Sequence, residues 1–192
     1  MIGYGDVPMI EDAYVNGMQR FGKVQALDTM LKSATSKNRY GLGAYMQHAG
    51  LDVNDEPESV SRTLEYAYDD WCIAKYAGLQ VRNEESKAFY QRAQYWKNIF
   101  DPSTRFMRPK KNSAWLSPFD PYQVNNHFTE ANSWQYSFFV PQDISGLIMA
   151  MGGPIKFETQ LDSLFTTVSK TSGRDPVSYT HLRAHETVLD LV

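Results

Sequence analysis

Residues 59–74 constrain the fold of this chain more than any other stretch, because they are apolar on nearly every side of a helix. At helical spacing, Leu64 and Trp71 belong to one apolar stripe, and Tyr66 and Ile73 belong to a second stripe on another side. A helix that is apolar all round is normally buried inside a protein. We therefore expect an inner helix that other helices cover on several sides.

Two adjacent carboxylates, Asp69 and Asp70, fall within this apolar helix. An unpaired charge in such a place is costly. One of them is therefore expected to pair with Arg62 or with neighbouring backbone, and the other to face a pocket. Asp70 is our candidate for a substrate contact, and structural pairing is the alternative for each of the two.

Helical periodicity recurs along the rest of the chain, interrupted at glycine, proline and asparagine. Repeated helix pairs with long loops on one side favour an all-α fold arranged as an αα toroid, although a bundle shares these periodicities. Ser59 and Asn83 are the expected N-caps of two helices, the first of which is expected to stop at Gly78. The predicted helices cover residues 8–20, 23–36, 59–77, 83–100, 132–136, 142–151 and 154–167, with a loop over 40–57 and short strands near Phe106 and Trp115.

Composition excludes several classes of function. The net charge is −3 with dispersed Lys and Arg, which argues against a nucleic-acid partner. No apolar run approaches the roughly 18 residues of a membrane-spanning helix, and the N-terminus lacks the features of a signal peptide. Cys72 is the only cysteine, and we expect it to be a buried apolar residue.

Residues 128–143 place one carboxyl, that of Glu130, among aromatic rings and amide side chains, with no Lys or Arg nearby in sequence. Such surroundings desolvate the ionised form and so favour the protonated form of a general acid. Aromatic faces beside Asn and Gln also suit a sugar ring, which needs stacking surfaces and hydrogen-bonding partners. The alternative is a buried aromatic helix in which backbone or an arginine satisfies Glu130.

Seven segments, considered together and in order, resemble glycoside hydrolase family 92, the calcium-dependent exo-acting α-mannosidases. The resemblance covers residues 1–174 and implies a partial (α/α)6 toroid that is a catalytic domain, with helical hairpins and long connecting loops. It also implies hydrolysis of α-mannosidic bonds with inversion of configuration. The segments are residues 7–14, 59–74, 100–102, 106–109, 118–121, 128–147 and 151–153.

The resemblance also implies roles for individual residues. Glu130 matches the general acid, and Asp12 matches a contact to the terminal mannose, although Asp12 could equally serve a helix dipole or a salt bridge. Arg108 has donors suited to a carboxylate or to sugar hydroxyls, or it ties a loop. Three more residues are expected to line or brace the site, and they could also be ordinary core and capping residues: Asn132, Trp134 and Gln135.

Other parts that the family requires are expected outside this chain. The resemblance implies that the general base and the calcium motif lie downstream, so we expect no metal ligands here and an inactive fragment of a calcium-dependent parent enzyme. It implies mannose-containing glycans as partners, a missing N-terminal β-sandwich, and a missing remainder of the toroid. It further implies a bacterial parent that is periplasmic, cell-surface or secreted. Residues 175–192 are interpreted as an adapter- or vector-derived tail and excluded from functional reasoning.

Two alternatives to the mannosidase remain open. One is another inverting toroid glycosidase, such as an α-glucosidase, because one fold hosts several sugar chemistries. The other is a non-catalytic glycan-binding or scaffolding protein that keeps aromatic platforms without chemistry.

Overall fold

The structure, a computed structural model, describes residues 3–18, 22–167 and 172–173. It is mostly helical, as predicted. The α-helices of the described residues are α1 (Val7–Val15), α2 (Lys23–Ala34), α3 (Leu42–His48), α4 (Ser59–Leu79), α5 (Asn83–Arg92), α6 (Ser133–Tyr136), α7 (Ile144–Ala150) and α8 (Pro154–Thr167). Single 3-10 turns cover Tyr95–Asn98 and Pro141–Asp143.

Within the described ranges, six two-residue strands form three pairs. Two pairs are antiparallel hairpins, which confirms the short strands predicted near Phe106 and Trp115. The third pair is parallel and joins Gln123 to Ser172. The strands are β1 (Phe100–Asp101), β2 (Phe106–Met107), β3 (Lys110–Lys111), β4 (Ala114–Trp115), β5 (Gln123–Val124) and β6 (Ser172–Gly173).

Helix α4 is the inner helix that its apolar pattern predicts. Fourteen of its 21 residues are buried, and it packs against α1, α2 and α5. One end of α4 contributes Val60 and Leu64 to a core with α7, and the other end contributes Ile73 to a core with α2 and α3. Cys72 is a buried free thiol in the second core, as expected.

Helix α3 lies in the stretch that was predicted to be a loop. Leu42 and Tyr45 are fully buried on it, so tertiary packing supports a helix of only seven residues. It begins after Gly41 (φ +72°) and ends before Ala49 (φ +55°), and both of these flanking residues are in the left-handed region. The turn residues at each end resemble a loop in sequence, whereas the buried side chains make the segment a helix.

The predicted capping residues were wrong. Ser59 and Asn83 are the first residues of their helices, and neither N-cap, Glu58 or Arg82, makes a capping side-chain bond. Helix α4 also continues past Gly78, and α5 ends at Arg92 and gives way to a 3-10 turn. Along the described residues, no helix combines the length and the apolar character needed to cross a bilayer. The proposed tail, residues 175–192, lies outside the described residues.

Candidate active site

The loop of residues 127–131, which we call the Glu130 loop, is attached to the first turn of α4. Val60 N donates to the carbonyl oxygen of His127 at 3.2 Å, and Thr129 N donates to Ser61 Oγ at 2.9 Å. The first amides of a helix have no acceptors within the helix itself. The loop therefore supplies an acceptor to α4, and α4 in turn fixes the position of the loop.

Glu130 adopts a left-handed backbone conformation, with φ +51°. Side chains other than Gly, Asn and Asp rarely occupy this region. The Glu130 side chain is exposed, whereas Phe128 and Ala131 beside it are buried. The desolvation that we predicted for this carboxyl is therefore wrong for this chain, because the turn places the side chain in solvent and its neighbours in the core.

The carboxylate of Glu130 has no hydrogen-bond or ion-pair partner anywhere in residues 3–18, 22–167 and 172–173. Among the described residues, the alternative of an arginine or backbone partner for Glu130 is therefore not found. A carboxyl that is exposed and unpaired is free to exchange a proton with a ligand that arrives from solvent.

Tyr136, for which we predicted no role, is an aromatic residue that contacts this loop. Its hydroxyl donates to Thr129 O at 3.4 Å, and its ring centroid lies 6.0 Å from that of Phe128. Burial raises the pKa of Tyr136, so its hydroxyl stays protonated and remains a donor. The only signal in the sequence was its place in the aromatic run after Glu130.

Asn132 and Gln135 form a capping box at the start of α6. Gln135 N donates to Asn132 Oδ1 at 3.4 Å, and Asn132 N donates to Gln135 Oε1 at 3.1 Å. Asn132 Nδ2 also donates to Tyr122 O at 3.3 Å. This reciprocal pairing satisfies the free amides of the helix end. Both residues therefore brace the chain just beyond Glu130, and the side-chain oxygens of both are engaged in doing so.

Trp134 lies among aromatic rings on the other side of α6. Its ring centroid is 4.7 Å from Phe106 at an interplanar angle of 77°, and 5.7 Å from Tyr122. Successive helical residues point about 100° apart, so Trp134 and Tyr136 are about 200° apart around α6. The structure does not bring Trp134 onto the side of α6 that contacts the Glu130 loop.

Arg108 ties two segments together, which is the alternative to a sugar contact that we gave for this residue. Its Nη1 lies 2.9 Å from Asp101 Oδ2, and its Nε and Nη2 donate to Leu116 O at 3.0 and 2.8 Å. The guanidinium also lies over the ring of Phe119, 4.9 Å from its centroid. Since these contacts occupy most of its donors, Arg108 supports the β1–β2 hairpin.

Asp12 is exposed on α1, and Asn16 Nδ2 donates to its Oδ1 at 3.0 Å. The preceding residue, Glu11, is buried, with Lys75 Nζ of α4 at 3.1 Å from its Oε1. That ion pair ties α1 to α4 and leaves the side chain of Asp12 facing solvent, where a ligand can reach it.

Asp70 is fully buried and fully engaged. Arg92 Nη2 lies 2.9 Å from its Oδ1, while Arg92 Nε and the hydroxyl of Tyr45 each donate to its Oδ2 at 2.9 Å. Arg62, the partner we predicted for this carboxylate pair, instead bonds Glu58 at 3.0 Å. The expected Arg62 pair is therefore wrong, and we assign Asp70 a structural role in place of the sugar contact.

Asp69 accepts a hydrogen bond from the backbone N–H of Tyr4, which is the backbone pairing that we considered. Burial raises the pKa of Asp69 to about 8. Glu65, one turn before it, is half-buried, and burial raises its pKa to about 7. Glu65 has no hydrogen-bond or ion-pair partner in the described part of the chain. The spacing of Ser61, Glu65 and Asp69 was the sequence signal for this polar stripe.

Calcium does not fit the residues that the structure describes. They include no group of three or more His, Cys, Asp or Glu side chains placed to hold a metal ion. Calcium takes about six to eight oxygen ligands. No step of the chemistry below is therefore assigned to a metal.

Three comparisons relate the chain to known proteins. The family model "Glycosyl hydrolase family 92 catalytic domain" matches residues 1–187, and so extends into the segment we had set aside as a tail. A curated relative, an uncharacterized secreted glycosidase of Arthroderma benhamiae, is 28% identical over 142 residues, which are 62% of this chain and 18% of that protein.

Solved structures of two mannosidases from Bacteroides thetaiotaomicron are also similar. A family 92 inverting mannosidase is 31% identical with a TM-score of 0.81, and the match covers 85% of this chain and 23% of that one. A family 92 α-mannosidase is 36% identical with a TM-score of 0.82 over 86% and 22% of the two chains. The latter protein has also been solved in complex with mannoimidazole. This chain thus spans less than a quarter of the length of these relatives. From its matched residues and its fold, the chain belongs to glycoside hydrolase family 92.

Proposed function

We propose that this chain carries the general acid of an inverting, calcium-dependent exo-α-mannosidase, and that Glu130 is that acid. The observation that carries the proposal is an exposed carboxylate without a partner among the described residues, on a loop fixed at both ends, by Ser61 of α4 and by the capping box of Asn132. Solved relatives described as mannosidases, one of them as inverting, support the choice of substrate and stereochemistry.

Inversion requires two carboxyl groups about 6.5–9.5 Å apart, one on each side of the sugar ring. In our proposal Glu130 gives its proton to the departing glycosidic oxygen. A base from another part of the catalytic domain removes a proton from the attacking water. Thr129 and Tyr136 hold the backbone beside the acid, and Asp12 contacts hydroxyls of the terminal mannose.

The proposed toroid, β-sandwich and calcium site concern a longer protein that would contain this chain. We propose that the helices described here are part of an (α/α)6 toroid, completed by further helical hairpins and joined to a β-sandwich. Calcium is proposed for that longer protein, with ligands from outside the residues described here. The description of a relative as secreted supports an enzyme that works outside the cytoplasm, on mannose-containing glycans.

The stereochemistry of hydrolysis tests this proposal. The purified chain alone is expected to leave an aryl α-mannoside intact, because in this proposal the base comes from another part of the catalytic domain. The longer protein should release β-mannose first, observed by proton NMR before mutarotation. Turnover by the chain alone, or initial release of α-mannose, would contradict the proposal.

Glu130→Gln in the longer protein should lower kcat by about 10²–10⁴-fold, the usual effect of losing a general acid. Glu84→Gln, at an exposed position in the first turn of α5, is the matched control and should leave the rate unchanged. A glycan-binding or scaffolding protein would show no turnover in either form, and a preference for α-glucosides would favour the other toroid glycosidases.

A further inference from the structure

A cavity of about 320 Å³ lies between the turn that joins β1 to β2, helix α6 and helix α8. We call it the α6–α8 cavity. Ligand pockets in proteins usually measure about 300–1,000 Å³, so this one has room for a single sugar ring. The residues of its lining that matter here are Arg105, Phe106, Trp134, Lys156, Thr159 and Gln160.

One wall of the α6–α8 cavity is aromatic and fixed in orientation. Phe106 and Trp134 pack edge to face with their centroids 4.7 Å apart, and Tyr122 packs against the indole of Trp134 from outside the cavity lining. Rings held in this way lose little freedom when a ligand arrives. An aromatic wall of this kind suits the C–H face of a pyranose.

Two polar groups of the lining, an accessible amide oxygen and a buried indole N–H, lack a hydrogen-bond partner among the described residues. Gln160 is only 7% exposed, and its Nε2 donates to Arg105 O at 2.9 Å, but its carboxamide oxygen has no donor among the described residues. Trp134 Nε1 is buried and has no acceptor in the same set of residues. Buried polar atoms are normally paired. A sugar hydroxyl both donates and accepts, so it could satisfy groups of both kinds.

Further hydrogen-bonding groups line the same space. The hydroxyl of Thr159 donates to Ile155 O at 2.8 Å, which leaves the hydroxyl oxygen to accept from a ligand. Arg105 and Lys156 are exposed, and within the described ranges neither forms an ion pair. They supply N–H donors at the cavity. An aromatic wall with a buried amide favours a neutral sugar over a simple anion.

We propose that the α6–α8 cavity binds one hexopyranose unit of a glycan, separate from the unit that Glu130 would release. The choice of mannose as the hexose rests on the proposed function. Binding itself requires no catalysis and can be measured on this chain. The cavity lies across α6 from Tyr136, so the glycan would extend past the helix that braces the acid.

The test follows the four tryptophan indole N–H signals of the ¹⁵N-labelled chain during titration with methyl α-mannopyranoside. The signal that is missing in Trp134→Phe identifies Trp134. We expect that signal to shift and to saturate with a Kd on the order of 1–10 mM, the range of a weak single-sugar site. The other three indole signals should stay in place.

Thr159→Val removes one polar contact from an exposed position without changing the size of the side chain, and it should weaken binding at least several-fold. Thr166→Val is the matched control, because Thr166 is an exposed α8 threonine whose hydroxyl also bonds a helix carbonyl, outside the cavity. Equal binding by both variants would overturn the assignment of the site.

Two further outcomes would overturn the proposal. One is the absence of any shift of the Trp134 signal at saturating mannoside. The other is a shift with mannose 6-phosphate alone, which would make the cavity an anion site for Arg105 and Lys156. Neither result bears on hydrolysis by the longer protein, whose failure would refute the proposed function while leaving this binding result intact.

Discussion

At the scale of single residues, Asp70 and Arg92 form an ion pair that is almost entirely out of solvent. Their side chains are 0% and 11% exposed, and the hydroxyls of Tyr45 and Tyr4 also donate to the carboxylate. Removing one partner of a buried pair leaves the other charge without compensation, which is much more destabilising than losing a surface pair.

We expect Arg92→Met to lower the free energy of unfolding by about 3–5 kcal/mol, because it leaves Asp70 buried without its cation. Urea denaturation of the purified chain measures this. Arg82→Met is the control, since Arg82 pairs with Glu85 and Asp28 at the surface and its loss should have little effect. Equal effects of the two substitutions would show that Asp70 is not held by Arg92.

The raised pKa values of Asp69, about 8, and Glu65, about 7, predict a dependence of stability on pH. Burial holds the proton more tightly in the folded state than in the unfolded state. The stability that each protonated carboxyl contributes to the folded state is therefore fully present below its unfolded pKa, near 4. It is lost as pH rises through its folded pKa. The free energy of unfolding should fall between pH 5 and 8, by up to about 1.4 kcal/mol per pH unit for each proton.

Neutral amides test these two groups separately. Asp69→Asn should remove the part of the slope that persists to about pH 8. Glu65→Gln should remove only a share of the part that ends near pH 7, because burial also raises the pKa of Asp70 to about 7. Denaturation curves at four pH values between 5 and 8.5 give the slopes. An unchanged slope in both variants would mean that these carboxyls are ionised throughout.

At the scale of elements, the capping box of α6 fixes the downstream end of the Glu130 loop. Asn132→Ala should cost about 0.5–2 kcal/mol of stability, as the loss of an N-cap usually does. It should also speed hydrogen exchange of the amides of α6. Asn54→Ala, which removes an exposed side-chain bond to Asn112, is the control and should change neither quantity. Unchanged exchange in Asn132→Ala would mean that the loop is held by α4 alone.

Helices with long apolar stripes were predictable, because the spacing of apolar residues is a local property of the sequence. Helix α4 is the clearest case, since its pattern predicted its burial and its start, and its end to within two residues. Helix α3 was not predictable in this way, because left-handed residues at both ends and the burial of Leu42 and Tyr45 define it. The N-terminus of α4 is satisfied by His127 O, a contact that no local pattern reveals.

At the scale of the whole molecule, the family was recognisable from ordered segments, but the environment of each candidate residue was not. Asp70 finds Arg92 22 residues away, a pairing that depends on how α4 and α5 pack. Glu130 is exposed because of its backbone angle, which its aromatic neighbours in the sequence do not specify. Asn132 and Arg108 were expected to brace the site or to contact sugar. In the structure Asn132 caps α6 and Arg108 pairs with Asp101, so both stabilise the local backbone.

The claim that Glu130 is the general acid is tested most directly by the dependence of the rate on the leaving group in the longer protein. A poor leaving group, such as a second mannose, needs protonation, whereas dinitrophenolate leaves without it. We predict that Glu130→Gln lowers kcat for mannobiose by about 10²–10⁴-fold and affects the dinitrophenyl α-mannoside far less. An equal loss with both substrates, or no loss with either, would contradict the assignment of Glu130.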